Sequence, residues 1–235
     1  MRVNNIIRLA CIVAGFAALT ACSRSTEAPP SSPPAPASAT QPVQSPAAAR
    51  AASPALTPDQ IARLVRPHSP VLGVATARVT VVEVLDPACE ACRAFAPVVK
   101  QLLFLHPDDV RVVVRYANFH PPSEEAIRLL VAASQQGKFD DVLSALFERQ
   151  EEWASHTGPD SERAWKIAAE VGINLARARK DARAASVENL LSLESKDLAA
   201  LKVERTPTFF VNGKLLEDFG PQQLLNMVAS EVGKR

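Results

Sequence analysis

Val79 to Leu85 is apolar at every position except Thr80 and Glu83 and rich in β-branched residues, a pattern that predicts a strand buried on both faces. Glu83 sits in the middle of it and is therefore a buried-acid candidate. Val110 to Tyr116 predicts a second strand. Between them, Cys89 to about Leu105 sets Phe95, Val98, Val99, Leu102 and Leu103 along one helical face. Pro97 lies inside that helix, where a lost backbone hydrogen bond is expected to kink it. Upstream, Thr57 reads as a helix cap with Pro58 at the first helical position; the short helix runs to about Arg66 and is ended by Pro67 and Pro70.

The stretch from Ser123 to Leu201 changes to helical periodicity almost throughout. It predicts helices at about Ser123 to Gln136, Phe139 to Trp153, Ser161 to Val171, Leu175 to Ala184 and Val187 to Leu201, punctuated by Gly137, Gly158-Pro159 and Gly172. Ser123-Glu124-Glu125 puts acids where the helix dipole favours them. Trp153 and Trp165 are expected to pack this block. Thr208 to Val211, Asn212-Gly213 and Lys214 to Leu216 then spell a hairpin with Phe209 and Phe210 in the sheet. Pro221 opens a last helix to about Val232. The order strand, helix, strand, helical block, hairpin, helix predicts an α/β fold: a small mixed sheet flanked by helices, with a helical insertion at about 123–201 between its halves.

The N-terminal quarter reads differently. Residues 1–21 carry Arg2 and Arg8 ahead of an apolar run from Leu9 to Leu19, then Leu19-Thr20-Ala21-Cys22. This resembles a bacterial lipoprotein signal, cleavage of which leaves Cys22 as the lipidated first residue; a plain signal peptide or a short anchor are the alternatives, and the run is short for a span. From Cys22 to residue 56 the chain is dominated by Pro, Ala and Ser and is too poor in large apolar residues to offset its ordering entropy. A tether of this composition reaches on the order of 100 Å. Residues 57–235 form the folded domain. Loss of Arg2 and Arg8 with the signal takes 26 basic and 25 acidic residues to 24 against 25, so no charge excess points to nucleic acid as a partner.

Of the four cysteines, only Cys89 and Cys92 belong to the domain. Two intervening residues put both sulfurs on the first turn of a helix, where unpaired N–H groups favour a thiolate on the first. Cys89 is then the nucleophile and Cys92 the resolving thiol. Half of a zinc knuckle is one alternative, but no second Cys pair exists and His68, His106, His120 and His156 lack ligand spacing. A structural disulfide is the other; a loop this short restricts the unfolded chain little. No metal or cofactor is expected.

Glu83 lies six residues before Cys89, Pro97 five after Cys92, and Thr206-Pro207-Thr208 precedes the hairpin. Together these resemble the thioredoxin superfamily, and the helical insertion resembles its DsbA-like branch. The resemblance covers about Val71 to Arg235 and implies a thioredoxin-like fold. It implies that Glu83 beneath the pair moves the resolving thiol's proton. It also implies a cis Pro207 beside the sulfurs, with the Thr206 backbone pairing with an extended substrate strand. The implied activity is thiol–disulfide exchange with protein thiols or disulfides through a redox-active Cys89/Cys92 pair, recycled by a separate redox partner. A redox-inactive module that holds an extended partner segment against Thr206-Pro207 is the alternative.

Two departures bear on direction. Asp86-Pro87-Ala88 replaces the aromatic residues that often precede the first cysteine, and Glu90-Ala91 fills the pair between the sulfurs. A carboxylate about 6 Å from the Cys89 sulfur opposes a thiolate by ~0.7 kcal/mol in water and ~3 kcal/mol at an effective dielectric near 20, with Arg93 on the same face as a partial offset. His120 lies in the loop after the second strand; bordering the active site is one reading, and a solvated loop histidine is the favoured one. The signal implies the bacterial cell envelope, with membrane attachment through lipid on Cys22. Ser23 in place of an aspartate leans towards the periplasmic side of the outer membrane.

Overall fold

A computed structural model describes residues 55–234. The signal segment, Cys22 and nearly all of the Pro/Ala/Ser tether lie outside the described residues.

Helix α1 (Pro58–Leu64) starts at the Thr57 cap, which forms a reciprocal capping box with Gln60. A three-residue strand β1 (Val71–Gly73) follows, then β2 (Val79–Leu85), α2 (Glu90–Leu105) and β3 (Val110–Tyr116). The helical block comprises α3 (Ser123–Ser134), α4 (Phe139–Glu148), α5 (Gln150–Trp153), α6 (Ser161–Glu170), α7 (Leu175–Asp181) and α8 (Ala185–Ala200). The chain closes with β4 (Thr208–Val211), β5 (Lys214–Leu215) and α9 (Pro221–Gly233). Helix α2 continues through Pro97 as one segment, and the segment expected as one helix from Phe139 to Trp153 is divided at Arg149.

The five strands run in the order β1-β3-β2-β4-β5. Strands β2 and β3 are parallel, joined by the α2 crossover; β1, β4 and β5 pair antiparallel with their neighbours. Asn212 and Gly213 both take positive φ in the β4–β5 turn, the geometry that makes Asn-Gly a hairpin signal.

Alternation along β2 decides where Glu83 goes. Val79 and Val81 pack with Phe95, Val99 and Leu102 of α2 and Leu224 and Val228 of α9. Val82 and Val84 pack on the opposite face with Leu64 of α1 and Leu198 of α8. Side chains two apart share a face, so Glu83 shares the α2 face. Both faces are covered, which is why the strand reads as nearly continuous apolar sequence.

The insertion buries Trp153 and Trp165 almost fully, in a core shared with Leu85 of β2, Cys92 of α2 and Val114 and Tyr116 of β3. Each indole N–H has a partner: Trp153 donates to the Leu146 carbonyl at 2.8 Å and Trp165 to Glu125 at 2.8 Å. The insertion is tied back to the sheet by a buried ion cluster. Arg115 of β3 bonds both Glu194 carboxylate oxygens (3.1 and 3.0 Å) and Asp197 (2.9 Å) of α8. Arg66 grips Asp197 with two 2.7 Å bonds, and Arg63 adds one at 3.0 Å. His68 meets Glu194 at 2.7 Å.

Candidate active site

Strand β2 ends at Leu85, and the turn Asp86-Pro87-Ala88 delivers Cys89 as the N-cap of α2. The turn is closed by Cys89 N–H to the Asp86 carbonyl (3.1 Å) and Ala88 N–H to the Asp86 carboxylate (2.9 Å). Both cysteines are free thiols; Cys89 is 7% exposed and Cys92 wholly buried.

The two thiols differ strongly in acidity. Cys89 is lowered to about 5 by the hydrogen bond from the Cys92 thiol, against the opposing effect of burial, with further help from the Thr206 side chain and from the backbone of Cys92 and Ala91. An N-cap position supplies those backbone donors directly. Cys92 is pushed far above the ordinary thiol range by burial, then by its bond to Cys89 and by the nearby charge of Glu83. Glu83 is itself pushed up to about 8 by burial. A carboxyl that titrates near neutrality beside a reluctant thiol can exchange a proton with it.

On the other flank, the protonated Cys89 thiol donates to the Thr206 carbonyl at 3.4 Å. The Thr206-Pro207 bond is cis. The fold therefore brings together Glu83, Cys89, Cys92, Thr206 and Pro207, all named from sequence. Among the described residues no cluster of His, Cys, Asp or Glu is disposed to hold a metal ion.

Glu90 and Arg93 each face a group of the helical insertion. The Glu90 carboxylate meets His156 at 3.4 Å, and Arg93 meets Glu151 at 3.3 Å. Groups contributed by the helical insertion draw both side chains, and the leading influences on the Cys89 thiol are Cys92, burial, Thr206 and backbone N–H groups instead.

Three further residues belong to the site, and of these only Gln150 escaped the sequence reading. Gln150 of α5 donates its side-chain N–H groups to the carbonyls of Pro87 (2.9 Å) and Cys89 (3.1 Å), while its Oε1 is buried without a hydrogen-bond partner among the described residues. Asp86 is completely buried, and His120 is held against it at 2.9 Å rather than standing free in solvent. Asp86 carries the only signal visible in the sequence, an acid at the end of an apolar strand. Gln150 becomes recognisable only once the insertion is folded against the turn, and the contact of His120 with Asp86 decides for the reading in which that loop borders the site.

Residues 66–229 match the Thioredoxin family. Among solved structures, a thioredoxin-like oxidoreductase from Silicibacter pomeroyi is 29% identical with a TM-score of 0.64, over 77% of this chain and 99% of that one. BdbD from Bacillus subtilis, in its oxidised form, shares the fold at 21% identity and a TM-score of 0.61, over 70% of this chain and 93% of its own. The catalytic domain of Proteus mirabilis ScsC does so at 20% and 0.60, over 75% and 96%. Among curated proteins, a Na(+)/H(+) antiporter NhaA 1 of a Mycobacterium species is 28% identical over 183 residues, 73% of this chain and 28% of that protein. The antiporter NhaA of Herminiimonas arsenicoxydans is 31% identical over 146 residues, 62% of this chain and 22% of that protein. The chain thus spans about a quarter of the length of the curated relatives it matches.

Proposed function

The chain belongs to the Thioredoxin family, and from that premise we propose that it is a thiol–disulfide oxidoreductase acting on protein substrates. One observation carries this reading: Cys89 is held as a thiolate, at about 5, beside a Cys92 that keeps its proton. The first is a nucleophile at neutral pH and the second a thiol that waits for the first to react.

In this reading Cys89 attacks a disulfide sulfur to form a mixed disulfide, and Glu83 takes the Cys92 proton so that Cys92 can resolve it. Thr206, with its carbonyl facing Cys89, pairs with the extended substrate backbone beside Pro207. The likeness to the Silicibacter pomeroyi oxidoreductase over nearly its whole length supports the same chemistry. A separate redox partner recycles the pair.

The proposed setting is the bacterial cell envelope, with lipid on Cys22 and the Pro/Ala/Ser tether carrying the domain away from the bilayer. Curated relatives carry a similar segment within a cation antiporter, in keeping with a domain that works beside a membrane. The test of the activity is turnover-dependent reduction of insulin disulfides by the full chain with dithiothreitol as reductant. Catalysis abolished by Cys89→Ser supports the reading; a variant as active as the parent refutes it. Membrane fractionation of Cys22→Ser tests the anchor: release of the protein supports it, and unchanged membrane retention refutes it.

A further inference from the structure

Asp86 is a fully buried carboxylate whose two oxygens take five donors. Oδ1 accepts from Ala88 N–H at 2.9 Å and from the Ser123 hydroxyl. Oδ2 accepts from Phe119 N–H at 2.8 Å and His120 N–H at 3.2 Å, and faces His120 Nδ1 at 2.9 Å. An ionised carboxylate only accepts, so this network assigns the hydrogen of the imidazole to Nδ1. The second ring nitrogen, Nε2, is left for other work, and the His120 side chain remains about one-third exposed.

The position follows from the sheet order. β2 lies between β3 and β4, and Cys89 leaves the end of β2. Thr206-Pro207 comes from the start of β4 and flanks Cys89 on one side, whereas His120 comes from the end of β3 on the other. A carboxylate that fixes one nitrogen of a histidine and leaves the other towards a reacting group is a recurrent acid–base arrangement. The mechanism above assigns a proton carrier to Cys92 but none to the substrate sulfur.

We propose that His120, oriented by Asp86, is the acid–base residue for the substrate sulfur in disulfide exchange at Cys89. This deepens, and rests on, the oxidoreductase reading. When the Cys89 thiolate attacks a substrate disulfide, the Cys89–substrate S–S bond forms and the substrate S–S bond breaks. The bonding electron pair stays on the leaving sulfur, which takes the Nε2 proton of His120 in its imidazolium form and leaves the neutral ring with its hydrogen on Nδ1 towards Asp86. Cys92, its proton passed to Glu83, then attacks Cys89 Sγ; the Cys89–Cys92 disulfide forms and the second substrate sulfur leaves. Two electrons pass from the cysteine pair to the substrate, and His120 regains its proton from solvent. In the reverse direction His120 accepts the proton of an incoming substrate thiol. Asp86 is a positioning residue in this scheme.

The test exploits the leaving group. Exchange is faster when the departing thiol is more acidic, so an aromatic disulfide such as 5,5′-dithiobis(2-nitrobenzoate), whose thiol is ionised at neutral pH, needs no acid, and glutathione disulfide does. His120→Asn retains an N–H to face Asp86 but has no titrating nitrogen, and His120→Gln serves as the second variant. With reduced full-length protein in single turnover, either variant is expected to react about tenfold more slowly with glutathione disulfide and at nearly the parental rate with the aromatic probe. Parental rates with both probes overturn the proposal, as does equal slowing with both, which marks a structural role. Cys89→Ala separates the two levels: if the parent protein's rates do not depend on Cys89, the oxidoreductase reading itself fails.

Discussion

Cys89 Sγ and the Thr206 carbonyl oxygen stand 3.4 Å apart although 117 residues of chain separate them. β2 and β4 are neighbours in the sheet, so the end of one strand and the start of the other meet whatever is inserted between. The insertion then adds contacts of its own, Gln150 above all, which holds two carbonyls of the cysteine turn.

The acidities of Glu83 and Cys89 give the reduced protein two opposing pH dependences. Glu83 rises from 4.5 to about 8 on folding, so between those values the folded state holds more protons and stability falls as pH rises. Cys89 drops from 9.0 to about 5, so over the overlapping window the folded state holds fewer protons and stability rises. Each slope is about 1.4 kcal/mol per pH unit with opposite sign, and the parent is expected to change little between pH 5 and 8. Urea unfolding of reduced Glu83→Gln should show stability increasing across this window, and that of Cys89→Ala stability decreasing.

Removal of Cys92 should do two things at once. Cys92→Ala takes away the resolving thiol, so the mixed disulfide with a peptide substrate is expected to persist and to be visible as an adduct by intact mass. It also takes away the leading donor to the Cys89 thiolate. The Cys89 titration should therefore move up from about 5, read by the pH dependence of alkylation.

The ion cluster on α8 should matter for stability and not for exchange. Burial raises the Asp197 carboxyl, but hydrogen bonds from Arg66, Arg115 and Arg63 outweigh it and hold the group at about 2. Its contribution is present above the unfolded value of 3.8 and lost as pH falls through about 2. Asp197→Ala leaves Arg115 with one carboxylate partner fewer in a fully buried site and is expected to cost about 3–5 kcal/mol in chemical unfolding. The rate of reaction of Cys89 with an aromatic disulfide should be unchanged.

Much of this architecture is legible in the sequence because it depends on local pattern. Apolar runs placed β2 and β3, Asn212-Gly213 placed the hairpin, and the offset of Glu83 from Cys89, with Pro207 just ahead of the hairpin, carried the resemblance that named the site. Strand β1 was not legible: three residues between Pro70 and Val74 are too few for a period to show. Nor were the partners of Glu90 and Arg93: an i, i+4 argument sets Arg93 on the face of Cys89, but His156 and Glu151 come from a distant part of the chain. Asp86 showed only as an acid at the end of an apolar strand, and Arg115 is a charged residue whose burial depends on carboxylates of a distant element, a choice that no local pattern encodes.

A thiolate stabilised in the reduced protein makes the disulfide more oxidising. With Cys89 at about 5, the pair falls between the thiol acidities near 7 of thioredoxin and near 3.5 of DsbA. Its potential in a glutathione buffer is expected between about −270 and about −120 mV. A value below that of thioredoxin would contradict the acidity assigned to Cys89.

The most direct measurement is the thiolate absorbance of the reduced protein at about 240 nm as a function of pH, a band specific to ionised sulfur. In the difference between the parent and Cys89→Ala, an inflection at about 5 that is kept in Asp197→Ala is the predicted result. An inflection at an ordinary thiol value near 8.5 would mean that Cys89 is not activated, and the account of the site would be wrong.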